Sequence, residues 1–317
     1  MGDGYHLSDF GAYTVGGRMI DVAGKERREI NFTPTALFIY DPNGTFAIEH
    51  LYVQYFVPAS RNALPPVVLL HGGGLTTGAT WETTPDGRPG WLHGLLRRGF
   101  EVHVVDNVER GRAGWCAVEG VWSDTPIQRS LQEAWVLFRL GRPADFAARQ
   151  PFPGQRFPVG QLEAFARSFV PRWTSTGPAA NAAFESLIDR FEQVIVICHS
   201  QGGQFAFEAA TSRPGRISAI CVIEPSGFTN TPEALRGLPV LLIQGDFLDC
   251  DERWQQMNAL WQAWADALAG PSGNSATTTV SLPRAGIPGN SHMVMMDDNS
   301  DAVLERVVEW LEGVRPR

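Results

Sequence analysis

The 317-residue chain lacks any apolar run long enough to cross a bilayer. Runs such as Val67-Val68-Leu69-Leu70 and Val194 to Cys198 are short, whereas a spanning helix needs roughly 20 apolar residues. Lysine is almost missing: Lys25 stands alone and arginine supplies the rest of the basic total. With 26 basic against 34 acidic residues, the net charge is −8. That balance argues against a nucleic-acid partner and against an anionic membrane surface. Cysteine is scarce too. Cys116, Cys198, Cys221 and Cys250 show neither CxxC nor metal-ligand spacing, so they read as buried thiols, with a single disulfide left open. Residues 1–20 lack the basic and apolar regions of a secretory leader. A cytoplasmic setting is therefore expected unless the chain is a mature secreted form. There is no internal repeat and no low-complexity block.

What is there is a rhythm of short elements. Tyr13 to Val22 reads as strand, glycine turn, strand, and His50 to Val57 alternates before Pro58. Then the pattern changes to continuous apolar strands, expected where a parallel sheet is covered on both faces. Val67 to Leu70 is such a run, and Phe100 to Asp106, Val194 to Cys198, Ile217 to Ile223, Pro239 to Ile243 and Thr277 to Leu282 read as the strands that follow. Helical stretches over 91–98, 184–191, 204–211, 252–268 and 301–311 separate them. Antiparallel strands followed by this alternation predict an α/β fold with a mostly parallel central sheet and flanking helices. About seventy residues between Asp106 and Ala179 break the rhythm. An insert of that length suggests a lid. Residues 117–177 are therefore expected to form an inserted cap on a core of 1–116 and 178–317. Its aromatics, among them Trp135, Phe138 and Phe165, are expected mainly to fill the cap's own core.

Chemistry is written most clearly in Cys198-His199-Ser200-Gln201-Gly202, between an apolar strand and a helix. A nucleophile elbow requires that context, with small residues flanking so that the serine Oγ stands clear of the sheet. The arrangement resembles the α/β-hydrolase fold, in which nucleophile, acid and histidine follow in that order. Of seven histidines only His292 lies after Ser200, which makes it the candidate base; His199 sits beside the nucleophile but should point away from it. The acid should end a strand between the two. Glu224 qualifies, and so do Asp246 and Asp249 after the next strand; the pattern alone does not choose. His71-Gly72-Gly73-Gly74 follows a strand, as an oxyanion loop of the HGGG type does, with Gln201 N–H as the second donor. Gly74 and Trp81 are further candidates for the substrate pocket.

Together with Val15 to Arg18, Thr80 to Arg88, Asp106 to Trp115 and Gly289 to Met293, these motifs make the chain resemble a bacterial family of carboxylesterases that includes the sulfonylurea-herbicide de-esterifying enzymes. That resemblance implies Glu224 as the acid and Gly73 with Gln201 as the oxyanion pair. It implies serine carboxylesterase chemistry on a small to medium, largely apolar ester, through an acyl-enzyme on Ser200. Cys198 replaces the usual elbow glycine, and the divergent cap leaves the substrate open. No metal or organic cofactor is implied, and an oligomer is allowed. Alternatives on the same fold are a thioesterase, a lactonase, a C–C bond hydrolase or a non-catalytic ligand-binding protein.

Overall fold

The computed structural model describes residues 4–73, 77–270 and 276–314. Its centre is an eight-stranded sheet in the order β1-β4-β6-β5-β7-β8-β9-β10. The strands are β1 (Leu7–Val22), β4 (Gly44–Pro58), β5 (Val67–Leu70), β6 (Val102–Asp106), β7 (Val194–His199), β8 (Ile217–Ile223), β9 (Val240–Gln244) and β10 (Thr277–Ser281). β1, β4 and β6 pair antiparallel; from β6 to β10 all pairing is parallel. The helices are α1 (Trp91–Arg97), α2 (Leu131–Leu137), α3 (Leu162–Ala166), α4 (Gly177–Ile188), α5 (Gly202–Ser212), α6 (Glu252–Ala269) and α7 (Ser300–Gly313). The expected α/β fold with a mostly parallel sheet is what forms. β5, β6, β7 and β9 are buried at every residue, which is why they carry no polar alternation.

The antiparallel end differs from expectation. Tyr13 to Val22 is part of one 16-residue strand, not two strands about a turn. Gly16 and Gly17 adopt φ of 73° and 79°, yet pairing with β4 runs on through them. A Cβ on Gly16 would stand 2.6 Å from the Ala183 Cα of α4, so glycine here admits a helix rather than a turn. β2 (Arg28–Thr33) and β3 (Ala36–Tyr40) form a separate hairpin. Phe32, Leu37, Phe38 and Ile39 lie exposed on it. Without a buried face the hairpin has no alternation to betray it. The four cysteines are free thiols, and only Cys198 and Cys221 are buried.

Between β6 and α4 the chain makes only short helices and turns. Trp135, Phe138, Phe157 and Phe165 from this stretch nevertheless belong to the same apolar core as the sheet. Main-chain hydrogen bonds tie the stretch to the loop after β10: Arg156 N to Gly289 O at 2.8 Å and His292 N to Phe138 O at 3.0 Å. No helix among the described residues is long and apolar enough to cross a membrane.

Candidate active site

Strand register brings the site together. Leu70 of β5 is level with Cys198 of β7, and His199 is level with Ile223 of β8. The residues that leave these strands, His71, Ser200 and Glu224, therefore emerge side by side at strand spacings of about 4.8 Å. Ser200 N donates to Ile223 O and Glu224 N to Ile243 O, extending the ladder one step past the strands. Strand order reverses between β5 and β7, the topological switch at which open α/β sheets hold ligands.

Ser200 and Glu224 adopt φ of 52° and 46°. A left-handed conformation in a non-glycine residue costs about 1–3 kcal/mol and persists only where the surroundings enforce it. At Ser200 it turns the chain sharply from β7 into α5. The Ser200 Oγ donates to the Ser226 Oγ at 3.2 Å, and Ser226 N donates back to Ser200 O. Ser226, two residues past Glu224, is a polar neighbour of the candidate nucleophile that no motif signalled.

His292 lies 96% buried in the loop after β10. Its Nδ1 stands 2.5 Å from Glu224 Oε2, so the Nδ1–H donates to the carboxylate and Nε2 keeps its lone pair. Of the three carboxylates left open by pattern, Glu224 is the one at the imidazole. Asp246 instead accepts from Gly289 N and Phe247 N, which anchors the histidine loop, and Asp249 is exposed. Three rings close around His292, with centroids at 4.5 Å for His199, 4.9 Å for Trp254 and 6.0 Å for Phe138. Burial pushes the His292 pKa below its ordinary value, against the upward pull of Glu224.

His199 turns under His292. Its Nε2 bonds the His292 carbonyl at 2.9 Å, which makes Nε2 the donor and leaves Nδ1 bare. That Nδ1 is buried without a partner, and burial holds the ring neutral, well below the usual pKa.

The sequence offered no hint of Arg139, the residue that completes Glu224. Both side chains are fully buried. Arg139 Nη1 donates to Glu224 Oε2 at 2.8 Å and Nη2 to Oε1 at 2.5 Å. Its Nε donates to Asp246 O at 2.7 Å, and the guanidinium lies 4.2 Å over the Trp254 ring. Gly245 N supplies a further donor to Oε1 at 2.7 Å. Burial alone would raise the Glu224 pKa; Arg139 and His292 outweigh it and hold the carboxyl at about 2. A lone arginine at the end of a short helix gives no motif, so only the packing reveals it.

Gly73 packs against the Gln201 side chain so closely that a Cβ would fall onto it. Arg110 Nη1 donates to Gly73 O at 2.7 Å. His71 bonds Gly72 O through Nδ1 and accepts from Asn107 N at Nε2, so the glycine turn is braced from below. Gln201 is the N-cap of α5, and behind it Gly203 N and Gln204 N already donate to Ser200 O and Gln201 O. Gly74 lies outside the described residues. Trp81 is not in the pocket: it is fully buried against Trp91, with centroids 5.7 Å apart.

Ser200, His292, Gly73 and Gln201 line one cavity of about 80 Å³, with Leu137, Phe138, Trp254 and Met257 as apolar wall. Of the aromatic side chains between 117 and 177, Phe138 is the one in this wall among the described residues. Trp254 and Met257 come from α6, a helix in which the sequence marks no candidate site residue.

An apolar strand, a strained serine turn, a paired carboxylate and imidazole, and a glycine loop at the switch point define a hydrolase of the α/β type. Comparison with known proteins agrees. The profile of the alpha/beta hydrolase family matches residues 67–308, and the chain belongs to that family. A solved structure described as a novel bacterial esterase is 30% identical, covers 99% of this chain and 98% of its own, and superposes with a TM-score of 0.84. A probable secreted lipase of a fungal species (strain ATCC 74256) is 29% identical over 210 residues, 63% of this chain. That match spans 55% of the lipase's own length.

Proposed function

We propose that the protein is a serine carboxylesterase of small esters, close in kind to the carboxylesterase group that its sequence motifs resemble. The observation that carries this reading is the buried Glu224–His292 pair beside a serine held in a left-handed turn. Ser200 and His292 line the same cavity, where the His292 Nε2 is not engaged by Glu224. His292 then removes the proton as Ser200 attacks the ester carbonyl. Glu224 keeps the imidazole tautomer and stabilises the imidazolium. The Gly73 and Gln201 N–H groups receive the oxyanion. His292 next protonates the leaving alcohol, and water enters along the same path to hydrolyse the acyl-enzyme.

Residues 117–177 act as the cap in this reading, closing the cavity over Ser200 and delivering Arg139 to Glu224. A cavity near 80 Å³ is small beside the ~300–1,000 Å³ of sites for drug-sized ligands, so short acyl or alcohol groups fit it. The test is a panel of p-nitrophenyl esters of two to eight carbons (roughly the reach of such a cavity), assayed with wild type and Ser200→Ala. Turnover falling off with chain length and absent in Ser200→Ala is expected. A wild-type protein inert on the whole panel would sink the proposal. So would organophosphate labelling at a serine other than Ser200.

A further inference from the structure

The wall of the candidate active site is positively charged in a protein whose net charge is −8. Arg129, Arg172 and Arg253 line the cavity with Ser200 and His292, and Glu224 is the carboxylate among the described lining residues. Glu224 is already committed to Arg139, Gly245 and His292. It has nothing left for the three arginines.

Their own partners balance them only in part. Arg129 is paired with Glu133, one turn along α2. Asp124 acts on Arg172 electrostatically but accepts from Thr174 N, Thr174 Oγ1 and Ser175 Oγ. The Arg172 main chain bridges to Ile127 in both directions, so its position is fixed while its half-buried guanidinium is held by no salt bridge among the described residues. Arg253, exposed on α6 next to Trp254, likewise forms none. Burial and the neighbouring Arg129 push the Arg172 guanidinium below its ordinary pKa, the signature of a cation short of counter-charge. Fixed cations converging on a small, low-dielectric cleft focus its potential toward anions.

We infer that the site takes an ester carrying a carboxylate on its acyl side, the half-ester of a short dicarboxylic acid, with Arg172 as principal anchor and Arg129 and Arg253 flanking it. The planar carboxylate matches the guanidinium fork. The cavity's size restricts the spacer to a few carbons. The anchor holds the distal carboxylate in both ground and transition states, so its contribution appears in KM more than in kcat. This inference rests on the ester-hydrolysis reading and adds its substrate class.

The experiment compares monoethyl succinate with its neutral isostere ethyl levulinate by pH-stat near neutrality, with p-nitrophenyl acetate as reference. The kcat/KM ratio should favour the half-ester by about tenfold or more at low salt, one charge-assisted contact's worth. It should shrink as salt screens the charges. Arg172→Gln should collapse the ratio through KM, with Arg172→Lys restoring part of it. Succinate should inhibit p-nitrophenyl acetate hydrolysis competitively in the unmodified protein, a readout that needs no variant to fold. Equal turnover of the isosteres, with no inhibition by succinate, overturns the inference and leaves the esterase reading standing. Failure to hydrolyse p-nitrophenyl acetate removes both.

Discussion

Two regions of this molecule meet at His292 and are built on different principles. The strand ends that supply Ser200, Glu224 and the glycine turn at Gly72-Gly73 are held by register: Ser200 and Glu224 each continue a ladder of hydrogen bonds through buried sheet. The stretch between β6 and α4 has little regular structure, yet it supplies Arg139, Phe138, Arg129 and Arg172. On the proposed function, the first region sets where the reacting atoms stand. The second sets the charge and the walls around them. A frame of strands can place a nucleophile to within a fraction of an ångström because its backbone has no freedom left. A packed irregular segment cannot do that, but it can bring a cation from a distant part of the chain onto the acid.

If that division holds, removing the reacting atom from the frame should have the largest effect. Ser200→Ala is expected to lower kcat on the order of 10⁶-fold, since triad members act as a unit. Thermal unfolding should be nearly unchanged. Residual activity at a tenth of wild type would place the nucleophile elsewhere.

Next comes the acid, where the frame and the loops can be set against each other. Glu224→Gln removes the charge and favours the wrong imidazole tautomer, so a loss in kcat on the order of 10⁴-fold is expected. Asp249→Asn, at an exposed residue with no hydrogen bond to the imidazole among the described residues, should stay within about threefold, as surface substitutions away from special features do. The reverse ranking would assign the acid to the strand after β8.

Arg139→Met tests the second region directly. Breaking a buried ion pair by removing one partner costs about 3–5 kcal/mol, which chemical denaturation would measure. The Arg139 charge also disfavours the imidazolium of His292. In wild type kcat/KM should therefore rise with pH through an apparent pKa below the ordinary histidine value, because the base proposed above is neutral His292. In the variant that limb should move to higher pH. An unmoved limb in folded protein would mean that Arg139 acts only as structure.

The smallest effect concerns Asp297, buried below the histidine loop, where it accepts from Ser291 N, Ser291 Oγ and Asn290 Nδ2. Burial raises its pKa to about 7 despite those bonds. The folded chain thus holds a proton that the unfolded chain releases above about pH 4. Its contribution to stability is present below that range and declines as pH rises through about 7. Asp297→Asn should remove that decline from the difference between the two stability-versus-pH curves. Parallel curves for variant and wild type would argue against a protonated Asp297.

Much of this arrangement is legible before folding. Ser200 and His292 follow from a strand–serine–helix pattern and from the order of residues along the chain, both of which are local. Glu224 needed the likeness to a known family, because a carboxylate ending one strand looks the same as a carboxylate ending the next. Trp81 misled for a related reason: its closeness to the glycine loop in sequence says nothing about which way its ring faces, and it faces Trp91. The glycine pair in β1 suggests a turn from sequence because glycine serves turns and the close approach of a helix alike, and the two are indistinguishable along the chain.

The sequence by itself determined the parallel sheet, the elbow and the candidate base, because hydrophobic periodicity and turn chemistry act over a few residues. Only the tertiary structure decided what surrounds them: Arg139 on Glu224, Ser226 on Ser200, Trp254 and Met257 from α6, and the arginines of the wall. Those contacts join residues tens of positions apart. Each exists because a particular side chain fills a particular gap in the packing, and no short-range pattern in the chain records which gap that is.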